Sequence, residues 1–367
     1  MTRLVKTYWG VLTMLLLAAV SFLSFSPENK PATETEPYQI EYPEYFGGRF
    51  TIPADNPTTK HGVFLGRMLF YEPLLSSNNK LSCSSCHQQA LAFTDGRRFS
   101  PGVDGAMTRR SAMSLANLLW VRNFFWDGRS ASLEEQALVP LADPHEMGQS
   151  LAISATKLRK TSVYPTLFQN AFGSSAINEP EITKALAQFE RTLVSANSKY
   201  DQYLQEKYVL TERELNGMNL FMTAPQPEKG IRGANCGHCH GTPKLFKELF
   251  HNNGLDSVAT DIGRMEFTRQ ETDRGRFRVA TLRNIALTAP YMHDGRFETL
   301  QEVLDHYNDH IRPSATLSSF ITGTSNEAGG KSLLLKEEEK NDIIAFLQLL
   351  TDSTFTHNPA FADPHKH

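Results

Sequence analysis

Apolar positions recur along this chain mainly at helical spacing. In "KHGVFLGRMLFY", from Lys60, they return every three or four positions, and the pattern stops at the Pro-containing "EPLLSSNNKLS". "SLEEQALVPL" opens with an S-x-x-E capping box, Ser132 to Glu135, ahead of its apolar face. "EPEITKALAQFERTLVSA" has Pro180 near its start and Ile182, Leu186, Phe189 and Leu193 on one side. "TERELNGMNLFM" is helical in the same way. "KEEEKNDIIAFLQLLT" leads with acidic residues and turns Ile343, Ile344, Phe346, Leu347 and Leu350 inward, after a Gly/Ser-rich loop over 314–330. No segment sustains the period-two alternation of a half-buried strand. The first and fourth of these helices share a G-x-x-L-F ending, so the pattern predicts a mostly α chain built as a loose tandem repeat joined near residues 200–211.

Upstream of Lys60 the periodicity fades. Residues 27–58 are rich in Pro, Thr and Glu and are expected to form a linker and a short extended lead-in. Before them, Arg3 and Lys6 precede an apolar run from Val11 to Phe25, the layout of a secretory signal. The run is short for a spanning helix, which needs about 20 apolar residues. Ser24 and Ser26 stand at candidate cleavage positions, but Pro27 disfavours cleavage there, so residues 1–26 are expected to be a signal peptide or a retained N-terminal anchor. Either way the chain is expected in the periplasm. A net charge of -3, a hydrophobic fraction of 40% and the lack of any basic block describe a globular protein and argue against a nucleic-acid binder.

The cysteines sharpen this outline. All four lie in two copies of one pattern, C-S-S-C-H at 83–87 and C-G-H-C-H at 236–240. C-x-x-C-H is the attachment signal for c-type haem: two thiols on one helical turn reach the two vinyl groups of a porphyrin, and the adjacent His comes under the ring as a ligand to its iron. Cys83, Cys86, Cys236 and Cys239 are then the thioether residues, and His87 and His240 the proximal ligands. Export also allows two structural disulfides, and four Cys allow a zinc site, but neither explains the two histidines. A thiol-redox reading would need a βαβ setting that the helical pattern does not supply.

With two haems, the sixth ligands separate a carrier from an enzyme. A carrier keeps both irons six-coordinate, usually with Met or His. Between the first motif and His145 there is no further His, and the nearby methionines are Met107, Met113 and Met147.

The stretches "LSCSSCHQQALAFTDGR", "FFWDGRSASLEEQALVP" and "TLRNIALTAPYMHDGRFETLQEVLDHY", with the closing helix, resemble the bacterial di-haem cytochrome c peroxidase family, including its methylamine-utilisation maturase (MauG) branch. The resemblance covers about residues 60–350. It implies an all-α fold of two cytochrome c-like domains in tandem, 59–206 and 207–356, each with one covalent haem, followed by a tail over 357–367. It also implies that the N-terminal haem meets peroxide beneath Gln136, Pro140 and Glu146. In those roles Glu146 moves a proton between the peroxide oxygens, Gln136 donates a hydrogen bond, and Pro140 makes a ceiling that adds no ligand. Trp126 matches the indole that the family places between its haems.

At the second haem the resemblance implies Tyr307 as the sixth ligand, the MauG-branch pattern, where typical peroxidases carry Met. His306 is the rival and Met292 a weaker one. Ala234 stands where the maturase has a surface Trp that serves its protein substrate. The loop "FSPGVDGAMTRR" lacks the displaceable His of peroxidases that need reductive activation. The family's interdomain calcium site maps onto Thr288 and Pro290, with Ser111 in place of an Asn, so Ca2+ is a weakened expectation. The expected function is peroxide reduction by electrons from a small cytochrome c or a cupredoxin. The alternatives are a MauG-like oxidase of a specific protein or organic substrate and a non-catalytic di-haem electron carrier. The family often forms homodimers.

Overall fold

The structure is a computed structural model that describes residues 36–366. The expected export segment lies outside the described residues. Among those described, no helix is long and apolar enough to cross a membrane.

The helices form where apolar periodicity meets a cap. The first runs Lys60–Phe70, with the Thr59 hydroxyl accepting from the Gly62 N–H at its N-terminus. Leu133–Ala142 follows the Ser132 cap, and Glu179–Arg191 carries Ile182, Leu186 and Phe189 into the interior, each no more than 1% exposed. Two helices left unmarked by the periodicity, Leu151–Arg159 and Tyr164–Phe172, pack alongside them. In the second half, Glu212–Met222, Leu300–Asp309 and Glu337–Gln348 are the long helices. The only paired strands among the described residues are Phe250–His251 and Phe277–Arg278, antiparallel and two residues each. The molecule is therefore all-α in architecture.

The repeat persists down to single hydrogen bonds. Lys60–Phe70 crosses Glu179–Arg191 at Gly66, where a Cβ would lie 1.9 Å from the Ala185 carbonyl oxygen. Glu212–Met222 crosses Glu337–Gln348 at Gly217, where a Cβ would lie 1.8 Å from the Asp342 oxygen. Only glycine permits either approach. Four residues on from each glycine, Phe70 meets Phe189 at 5.3 Å between ring centroids and Phe221 meets Phe346 at 5.2 Å. Beyond these pairs, Asn117 donates its N–H to the Leu193 carbonyl (2.8 Å), and Asn284 donates to Leu350 (2.9 Å). Both asparagines adopt left-handed backbone, at φ 64° and 62°, and each opens a single 3-10 turn.

Each half has its own apolar core. One gathers residues from Leu65 to Leu193, the other from Tyr200 to Leu350. Phe355 and Phe361 return from the C-terminus to the first core, and Tyr71 and Arg67 donate to the Phe361 and Ala362 carbonyls. The segment read as a tail is thus docked as far as these residues. A third cluster forms around Trp120, which Tyr42, Phe46 and Phe50 approach edge-on. The lead-in is therefore pinned by its aromatic residues, a packing that its Pro-rich composition concealed.

The start of the second half is anchored by a fully buried ion pair. Arg283 donates to both oxygens of Asp201, at 2.6 and 2.7 Å, with both side chains 0% exposed. Tyr45 donates to the same carboxylate from the lead-in. Burial alone would raise the Asp201 carboxyl, but hydrogen bonds and charge from Arg283 hold it below the ordinary range. This contribution to stability is present above the unfolded aspartate value of about 3.9 and is lost as pH falls through the lower folded value. Asp201→Asn strands the guanidinium, so urea denaturation should show a loss of about 3–5 kcal/mol.

Candidate cofactor and active site

Cys83–Cys86 is one helical turn opened by Ser82, and Cys236–His238 is a 3-10 turn. Both place their two thiols on one local turn. All four cysteines are free. Burial raises every thiol, Cys236 to about 12, which is opposite to the lowered values of thiol-redox centres. Among the described residues no three His, Cys, Asp or Glu gather to hold a metal ion, so the zinc alternative has no site here.

The two motif histidines share one arrangement. His87 donates Nδ1–H to the Phe93 carbonyl at 2.8 Å, and His240 donates to Ala280 at 3.1 Å. A carbonyl only accepts, so both rings carry their proton on Nδ1 and keep the Nε2 lone pair free, the tautomer that binds iron. Burial lowers both, His240 to about 4, which keeps the rings neutral.

Cys83, Cys86 and His87 line a cavity of about 640 Å³, within the roughly 300–1,000 Å³ typical of ligand pockets. Gln136, Pro140 and Glu146 line the same cavity. Gln136 and Pro140 lie one turn apart on Leu133–Ala142 and so share a face. Glu146 sits in the following turn, fixed by Val103 N–H on its carbonyl (2.9 Å) and by Met147 N–H on the Pro140 carbonyl (3.0 Å). Burial and the nearby Asp143 raise the Glu146 carboxyl, against the pull of Arg129. Met107, Met113, Met147 and His145 also line the cavity. Met107 is 54% exposed, Met113 accepts from Arg278, Met147 belongs to the core, and His145 Nδ1 is paired with Asp104.

Arg278 provides the test of whether the cavity suits a haem. It is 7% exposed and borders both the large cavity and a smaller one of about 70 Å³ between the halves. Its Nε has no partner, and Glu248 acts on it only from a distance. Burial lowers it to about 10, so it remains a cation at neutral pH. A buried cation without an anion is costly. The free carboxylates of a porphyrin would meet that need, and with the free thiols and bare Nε2 atoms they make the residues fit the cofactor.

Trp126 borders both cavities as well. Its indole N–H donates to the Ser111 carbonyl (2.9 Å), and its own carbonyl accepts from Arg278 N–H (2.7 Å). Ser111, Thr288 and Pro290 all reach the smaller cavity. Its lining includes no carboxylate, and the Ser111 hydroxyl donates to the Met292 carbonyl (2.9 Å). A calcium ion there would find only neutral oxygens and the Arg278 guanidinium, a poor donor set for a hard cation.

Near the second motif, the Tyr307 oxygen accepts from Asn253 Nδ2 at 3.1 Å, and Met292 Sδ lies 3.4 Å from the same amide. Burial pushes the phenol up to about 12, with smaller effects from Asn253, which opposes, and from Cys239 and Cys236. His306 is 4% exposed, and its Nε2 donates to the Asn253 carbonyl (3.0 Å). Tyr307 and Met292 thus converge on one amide, whereas His306 is committed to a backbone oxygen. Ala234 is buried, at 8% exposure. Arg278 and Asn253 were not legible from spacing, because their roles arise only once the halves are assembled. Tyr307→Met should raise the midpoint potential of the second haem in a potentiometric titration, since thioether ligation favours reduced iron; an unaltered spectrum would point to His306.

Comparison with known proteins identifies the family. The family model for di-haem cytochrome c peroxidase matches residues 60–208. The methylamine utilization protein MauG of Methylorubrum extorquens is 34% identical over 304 residues, covering 81% of this chain and 80% of that protein. The cytochrome c551 peroxidase of Nitrosomonas europaea is 36% identical over 266 residues, 69% of this chain and 75% of its own length. The crystal structure of a MauG-like protein associated with microbial copper homeostasis superposes with a TM-score of 0.79 at 38% identity, covering 89% of this chain and 99% of that one. With its paired C-x-x-C-H turns and helical tandem halves, the chain belongs to the di-haem cytochrome c peroxidase/MauG family.

Proposed function

We propose that this protein is an exported peroxidase that reduces hydrogen peroxide in the N-terminal cavity, with the C-terminal haem, held by His240 and Tyr307, transferring or storing oxidising equivalents. The observation that carries this reading is the meeting of Gln136, Pro140 and Glu146 on the cavity walled by Cys83, Cys86 and His87. The haem, when bound, supplies the iron centre at which the peroxide bond is reduced. Glu146 takes the proton from the inner peroxide oxygen and returns it to the outer one, a task suited to a carboxyl whose affinity for protons is raised by burial. Gln136 orients peroxide through its amide, and Pro140 contributes bulk without a competing donor atom. Each peroxide consumes two electrons and two protons and yields two waters. The electrons come from an external donor such as a small cytochrome c or a cupredoxin, and Trp126, bordering both cavities, is the relay between the halves.

A second reading, a MauG-like oxidase of a partner protein, is favoured by Tyr307, held near Cys236 and Cys239. Against it stands Ala234, a buried residue where the maturase carries its surface Trp. Rapid oxidation of a reduced small cytochrome by peroxide-treated protein supports the first reading; a long-lived oxidised state indifferent to that cytochrome supports the second. Glu146→Gln should lower peroxide turnover by roughly 10²–10⁴-fold with both haems still attached. In the wild type, turnover should fall as pH drops through the raised Glu146 value, because the protonated acid no longer serves as base. Undiminished turnover in the variant would remove Glu146 from the mechanism.

A further inference from the structure

One buried acid on the N-terminal cavity has no part in the chemistry above. Glu190, at the end of Glu179–Arg191, is 5% exposed and lines the cavity beside Cys83, whose thiol feels its charge. Its Oε2 is enclosed without any hydrogen-bond partner. It does not stand alone. The adjacent Arg191 pairs with Glu134 of Leu133–Ala142, yet Arg191 Nη1 and Glu134 Oε2 are also enclosed and unpartnered. Three orphaned polar atoms in one cluster mark a place where internal water is expected. The Arg191 side chain is 4% exposed and that of Glu134 is 18% exposed, so the cluster runs from near the surface to the cavity wall.

No other charge competes for Glu190. The helices packed against its own present apolar residues: Leu65, Leu69 and Phe70 from Lys60–Phe70, and Ala155 and Leu158 from Leu151–Arg159. The 3-10 turn Leu118–Trp120 contributes Leu118. Arg191, Glu134 and the Cys83 thiol are therefore the titratable groups that act on it. Burial raises the carboxyl to about 8, with Arg191 opposing and Glu134 adding to the rise. Its surroundings therefore strengthen its hold on a proton.

A charge added to or removed from a cofactor inside an enclosed cavity is costly unless a neighbouring charge changes with it. We propose that Glu190 is the proton-exchanging group of the N-terminal haem, protonated when the iron gains an electron and deprotonated when it loses one, with Glu134 and Arg191 leading to solvent. With a haem bound, its one-electron reduction by an outer-sphere donor would be balanced here by one proton taken up from solvent, which would convert the Glu190 carboxylate to the neutral acid. This rests only on a haem occupying the cavity, not on the peroxidase reading.

The test is spectropotentiometry of the N-terminal haem in the holoprotein across a pH series. In the wild type each tenfold change in proton concentration should shift the potential by up to about 59 mV, the one-electron equivalent of a factor of ten. Glu190→Gln should flatten that dependence, whereas Glu146→Gln, which disables peroxide chemistry, should leave it in place. A slope kept in Glu190→Gln overturns the proposal. Should that variant fail to attach haem, Glu190→Asp decides: a pH dependence displaced along the axis supports the assignment, and one identical to wild type overturns it.

Discussion

The two halves of this molecule are locked at one buried polar knot. Asn117 and Ser195 bond reciprocally, Asn117 Nδ2 to the Ser195 carbonyl (3.1 Å) and Ser195 N–H to Asn117 Oδ1 (2.9 Å). In the second half, Asp352 N–H bonds Asn284 Oδ1 at 2.8 Å, the counterpart of the Ser195 contact. The knots then join: Ser195 Oγ donates to Asp352 Oδ2 (3.1 Å) and accepts from Asn284 Nδ2 (3.0 Å). All four side chains are at most 1% exposed. Losing one member would leave several buried groups unsatisfied at once, so the knot tolerates only a single relative placement of the repeats. That placement brings Trp126, Arg278 and Ser111 between the two cofactor turns.

Much of this was legible in the sequence, for physical reasons. Long amphipathic helices announce themselves because burial imposes their period: Ile182, Leu186 and Phe189 line up as the periodicity requires, while Leu193, predicted on the same helix, is buried just past its end at Arg191. The repeat was visible in G-x-x-L-F because Gly66 and Gly217 meet the same steric demand. The motifs disclosed the cofactor because covalent attachment fixes residue types at fixed spacing. By contrast, Arg278, Asn253 and Glu190 owe their importance to neighbours distant in the chain, and nothing in their local sequence sets them apart. Leu151–Arg159 and Tyr164–Phe172 escaped for a different reason: each spans only nine residues, too short for its apolar spacing to stand out, and both are stabilised by packing on the first core.

The scaffold is nearly symmetric, but the surroundings of the two cofactor turns are not. Around the first, Gln136, Pro140 and Glu146 leave a roomy wall with an acid on it. Around the second, Tyr307, Met292 and Asn253 crowd together through one amide. A duplicated fold thus carries two C-x-x-C-H turns on similar helices but surrounds them with different residues.

The indole of Trp126 has a further consequence. Its N–H points at the Ser111 carbonyl, a group that accepts a hydrogen bond but cannot take the proton away. Loss of an electron from that ring would therefore create a cation that keeps its hydrogen, rather than a neutral radical. If Trp126 relays charge as proposed, the transfer would move no proton, and the return journey would require none to be found again.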